Sequence, residues 1–117
     1  MTYQEWTENM KKQGKQVPRP LELLGQLDDK RVMAHLSDKN AAYSGEALTQ
    51  KAKALIALAV GIALDSQACI LNHAKAAKEA GASTAEIVET LAVAKFSKGA
   101  TAFSSSLQAL EWLAANM

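Results

Sequence analysis

Between Lys53 and Asp65 the chain runs for eleven residues, Ala54 to Leu64, without one charged side chain. The run is about half of the ~20 residues that a membrane-spanning helix needs, so a buried core helix is the better account. Leu55, Leu58, Ala59 and Ile62 recur at helical spacing. Ile56, Val60 and Ala63 fill the other side, so this helix is expected to be buried nearly all round. It is the candidate centre of the domain or of an oligomer. No stretch of useful length alternates with period two, so no strand is expected. The fold class is all-α, a compact helical domain of about six helices.

At 117 residues one domain is expected, spanning 1–117. With 49% apolar but only 5% aromatic residues, alanine, leucine and valine carry the packing. Such small side chains let helices approach closely. A net charge of +1, from 13 basic and 12 acidic residues, gives no electrostatic case for nucleic acid or an anionic membrane. A single cysteine excludes an internal disulfide framework and a cysteine-rich metal site. Met1 to Trp6 is polar and lacks the apolar core of a signal peptide. A reducing, cytoplasmic setting is the expectation, with neither a nucleic-acid nor a membrane partner.

Thr2 and Glu5 have capping-box spacing, predicting a first helix from near Tyr3 to about Lys15. Val17-Pro18-Arg19-Pro20 breaks it, leaving residues 1–19 as a peripheral helix and linker. Pro20 suits the start of the next element, one bent helix or two short ones reaching Tyr43. Thr49 can cap the apolar helix, and a further helix is expected from about Ser66 to Ala80, stopped by Gly81. Ser83 with Glu86 forms a second capping box. Its helix is expected to break or kink around Ser97-Lys98-Gly99, before a last helix over about Ala100 to Ala115.

The chemistry concentrates at the start of the helix after the apolar run. If Asp65 or Ser66 is the N-cap, Cys69 lies in the first turn and His73 one turn on, on the same inward face. The helix dipole and the imidazole would both favour a thiolate there, and Asp65 would oppose it. Cys69 reads as a redox-active thiol or as a small buried hydrophobe. His73 reads as its base or hydrogen-bond partner, or as an interior histidine held by a carbonyl or by Ser66. Ser66 reads as an N-cap, with a hydroxyl able to bond a ligand. His35 has no ligand-spaced partner and is expected at the surface. Cys69, His73 and Asp65 form too mixed a set to predict a metal, so no metal or cofactor is expected.

Three segments in this order, Lys53-Ala54-Leu55-Ile56-Ala57-Leu58-Ala59, Cys69-x3-His73 and Ala76-Ala77-Lys78-Glu79-Ala80-Gly81-Ala82-Ser83-x2-Glu86-Ile87-x2-Thr90-Leu91, carry a resemblance. They resemble the carboxymuconolactone decarboxylase and alkylhydroperoxidase D superfamily, from roughly Leu48 onward. The resemblance implies an alkylhydroperoxidase D-like helical domain, a trimer or hexamer, and a site near a subunit interface. The peroxidase branch carries a glutamate, a Cys-x-x-Cys and a histidine. Matched onto this chain, its second cysteine is Cys69 and its histidine is His73. Its first cysteine falls on Ser66 and its glutamate on Ala54.

The expected function is therefore thiol-dependent, peroxiredoxin-type peroxidase activity from a one-cysteine site, Cys69 and His73 with Ser66. Its partners would be a small-molecule peroxide or organic acid and an external thiol reductant. The alternatives are a decarboxylase or isomerase acting on a small carboxylated lactone, with His73 as proton donor, and a catalytically silent binding or assembly module. Restoring Ser66→Cys and Ala54→Glu together is expected to raise peroxide turnover.

Overall fold

Seven α-helices and no strand make up the computed structural model, which describes residues 1–117: α1 (Tyr3–Lys12), α2 (Arg19–Leu27), α3 (Asp29–Tyr43), α4 (Gln50–Ala63), α5 (Gln67–Glu79), α6 (Thr84–Ser105) and α7 (Leu107–Ala115). The helices fall into two compact units, Met1–Glu46 and Ala47–Met117.

In the first unit, α1 opens on the anticipated capping box. The Glu5 amide donates to Thr2 Oγ1 at 3.1 Å, and the Thr2 amide donates to Glu5 Oε2 at 3.1 Å. The helix stops at Lys12, earlier than Lys15. Gly14 takes a left-handed φ of 67°, and the Lys15 amide returns to the Met10 carbonyl. Between Pro20 and Tyr43 the chain forms two helices, because Asp28 adopts an extended conformation (φ −159°, ψ 92°). Its carboxylate accepts from Arg31 Nε at 3.1 Å rather than capping α3. Gly25 lies against the Tyr3 ring, where any Cβ would collide. Val32 is fully buried, and His35 is exposed, as its isolation in sequence suggested.

In the second unit, α4 is the hub and packs against both α5 and α6. Thr49 Oγ1 caps it by accepting from the Ala52 amide at 3.0 Å. Ala54, Leu58 and Gly61 form its buried stripe, and Ala54 closes a cluster with Ala77 and Ala82. The helix is not buried all round, since Ile56 and Val60 each leave about half their surface exposed (51% and 53%).

The break foreseen at Ser97-Lys98-Gly99 does not occur, for α6 continues unbroken to Ser105. A lone helical glycine costs only about 1 kcal/mol relative to alanine, too little to stop a helix that neighbouring turns support. The interruption comes at Ser106, whose amide reaches the Ala102 and Phe103 carbonyls while its own carbonyl receives the Leu110 amide. The last helix therefore begins at Leu107, not near Ala100.

The start of α6 ties it to α4. The Glu86 amide donates to Ser83 Oγ at 3.0 Å, the Ser83 amide donates to Glu86 Oε1 at 2.9 Å, and Lys51 Nζ lies 2.9 Å from Glu86 Oε2. The Ser83 amide first, then the Lys51 ammonium, lower the Glu86 carboxyl from 4.5 to about 2. A lowered carboxyl stabilises the fold above its unfolded value, and that contribution disappears as pH falls through the folded value. Glu86→Gln should therefore be less stable than the parent above pH 4.5, and the gap should close as pH falls toward 2. Urea midpoints of both proteins across that window test this; a gap independent of pH would contradict it.

Candidate functional site

Three residues, Leu64 to Ser66, join α4 to α5, and their geometry sets where the thiol stands. Asp65 holds the left-handed position after α4, with φ 55°. Around it the Asp65 amide donates to the Ile62 carbonyl at 3.1 Å, and the Ser66 amide to the Gly61 carbonyl at 3.2 Å. This is the closing pattern that glycine usually provides; an aspartate tolerates it better than most side chains do. Its carboxylate is bound by the Lys98 ammonium from α6, so the turn is tied to a third helix. The same pairing offsets the negative charge that Asp65 would otherwise present to the thiol.

Ser66 then occupies the N-cap position of α5, in an extended conformation. Its carbonyl receives the Ile70 amide at 2.8 Å, but its hydroxyl makes no capping bond. The amides of Gln67, Ala68 and Cys69 precede the first intrahelical bond and keep their donors free, and the helix dipole directs positive potential at the same place.

Cys69 is a free, exposed thiol in that first turn. Its exposure corrects the expectation of an inward face and removes the reading as a buried hydrophobe. The stripe with reduced exposure runs from the Ser66 N-cap through Ile70, His73, Ala74 and Ala77 of α5, and Cys69 stands at its edge. Gly61 explains how near α4 lies. A Cβ built there would sit 3.6 Å from Cys69 Cβ and 3.6 Å from the Ile70 amide nitrogen. His73 is half-buried one turn beyond Cys69, and no hydrogen bond joins the two side chains.

Ala54 is the other site position. It is 6% exposed and packs in the alanine cluster one turn past His73 rather than beside the thiol. Gly61 and Lys98 were not singled out from sequence. A lone glycine within an apolar helical run is the signal that could have marked the first. Nothing in the local sequence joins Lys98 to Asp65, thirty-three residues away. No three His, Cys, Asp or Glu side chains converge as a metal site, and no helix is long and apolar enough to cross a membrane.

Fold and site together define an all-helical protein presenting one exposed thiol in the first turn of a helix, a turn away from a histidine. Among known families, the carboxymuconolactone decarboxylase family matches residues 30–112, which include all of α4, α5 and α6 with Cys69 and His73. The chain belongs to that family. No curated protein matches it individually.

Proposed function

We propose that the protein is a thiol-dependent hydroperoxidase working with a single cysteine. The observation that carries this reading is the exposed Cys69 thiol at the N-terminus of α5, beside three free amides and one turn from His73. The thiolate sulfur attacks the outer oxygen of a hydroperoxide, the O–O bond breaks, and Cys69 becomes a sulfenic acid. The leaving alkoxide takes a proton, for which His73 is the near donor, and departs as an alcohol. An external thiol then condenses with the sulfenic acid, releasing water and leaving a mixed disulfide. A second external thiol displaces Cys69 from it and restores the thiol. Ser66 has no sulfur with which to resolve the sulfenic acid, so both reducing equivalents come from outside the chain.

The test is consumption of an organic hydroperoxide under dithiothreitol. The parent should turn over, Cys69→Ser should fall to the uncatalysed background, and His73→Ala should fall roughly 100-fold, the low end of what a positioned proton donor contributes. A parent rate no greater than that of Cys69→Ser sinks the proposal. Conversion of a small carboxylated lactone that survives Cys69→Ser would replace it with the decarboxylase reading.

A further inference from the structure

In the first unit α1 and α2 each pack on α3, and they meet one another where the Tyr3 ring lies on Gly25. Beside that contact they leave a cleft of about 690 Å³, a size that suits a small ligand. Tyr3, Thr7 and Lys11 recur every four residues along α1 and line one side. Glu22 and Gln26, four residues apart on α2, line another. The left-handed Gly14 carries the chain out of α1, and Lys15, Gln16 and Val17 complete the lining. All of these residues precede the part of the chain that matches the family, which starts at residue 30.

Most of the polar groups here are donors without a partner. Lys11 and Lys15 enter no ion pair. The backbone amides of Gln16 and Val17 have no protein acceptor, because this segment belongs to neither helix. The Tyr3 hydroxyl donates to no protein group. Thr7 and Glu22 are engaged. Thr7 Oγ1 donates to the Gln4 carbonyl at 2.8 Å, and Glu22, the one carboxylate, is held by Arg19 at 2.6 Å.

Two free ammonium groups and free backbone N–H groups, with the only carboxylate already neutralised, make a site for an anion. The start of α2 has no side-chain cap, and its positive end offsets the negative end of α1. The type of cation narrows the anion. Lysine acts as a compact point charge that suits phosphate, whereas the planar pairing that favours a carboxylate needs arginine, and Arg19 is bound to Glu22. Half-buried Val17 and the Tyr3 ring add apolar surface for an organic group.

We infer that this cleft binds a small phosphate monoester. Lys11, Lys15 and the free amides take the phosphate, and the organic part lies over Val17 and Tyr3. Phenyl phosphate is the probe, titrated into the full chain by calorimetry at low ionic strength. Binding should saturate at millimolar probe, weaken as salt rises, and shift the amide resonances of Gln16 and Val17. Lys11→Gln with Lys15→Gln should weaken it roughly tenfold or more while keeping the parent's helical circular dichroism, since both side chains are exposed. Lys12→Gln with Lys30→Gln removes the same charge outside the cleft and should bind as the parent does. Benzoate and inorganic phosphate, which each lack one half of the probe's chemistry, should both bind more weakly than phenyl phosphate. The resonance shifts are read on the parent, so the test survives a variant that fails to fold. Absence of saturation, shifts confined to other residues, equal weakening in both double variants, or benzoate or inorganic phosphate binding as tightly as phenyl phosphate would each overturn it.

Discussion

Ala54→Glu is expected to destabilise the second unit by about 3–5 kcal/mol, combining overpacking with the burial of a charge that has no partner. Ala54 is almost fully enclosed, and its neighbours Ala77 and Ala82 have no side-chain atoms beyond Cβ that could move aside. Leu55, Ala80 and Ile87 close the cluster with further apolar surface. At about 4–8 °C of melting temperature per kcal/mol for a body this size, the drop should exceed 10 °C. The loss should also depend on pH. Burial raises the introduced carboxyl's folded value, so the charge penalty is full above that value and fades as pH falls below the unfolded one. Thermal melts of parent and variant at neutral and acidic pH should thus show the difference shrinking in acid, with the steric part remaining. The relatives' pattern suggested that a glutamate here, with Ser66→Cys, would raise turnover. The packing indicates that it would first have to open the alanine cluster. A variant that melts with the parent and turns over peroxide faster would show that the carboxylate reaches His73 instead.

The helix starts were legible because they depend on contacts within one turn. Thr2 with Glu5, Thr49, and Ser83 with Glu86 all cap the helices their spacing announced. The helix ends were less legible, since a stop needs both a residue that tolerates it and neighbours that stabilise it. Gly99 had the first without the second, and α6 runs through it. Asp65 is the reverse case, an aspartate in a glycine-type position with Lys98 bound to its carboxylate from another helix.

The site was legible as a pairing but not as an orientation. Four-residue spacing places Cys69 and His73 on one side of α5 whatever lies opposite. Which stripe turns inward is decided by how α4 crosses α5, and that crossing is set where Gly61 lets the two backbones approach. The stripe from Ser66 through Ile70 and His73 to Ala77 turns inward, leaving Cys69 beside it in water. Ser66 likewise stands at the N-cap as its sequence position suggested, but without the side-chain bond that usually accompanies serine there.

Gly61 is where packing and chemistry can be separated by two substitutions. A Cβ there meets its nearest neighbours, Cys69 Cβ and the Cys69–Ile70 backbone, at 3.6–3.7 Å, which is ordinary contact. Gly61→Ala should therefore be accepted and should gain up to about 1 kcal/mol, since it removes a glycine from a helix interior. Gly61→Leu adds three more carbons to a buried position whose nearest boundary is backbone, and backbone cannot rotate aside as a flexible side chain can. The expected cost is about 1–3 kcal/mol of strain, with α5 pushed away from α4 at the turn that carries Cys69. The two variants should then split in both stability and activity. The alanine protein should melt at or above the parent temperature and keep its thiol-dependent turnover. The leucine protein should melt several degrees lower and lose turnover beyond what its unfolded fraction explains, because the displaced segment holds the free amides as well as the thiol. Melting curves and initial rates on matched samples decide it. A leucine variant as stable and as active as the alanine one would mean that the close approach at Gly61 has no part in placing Cys69.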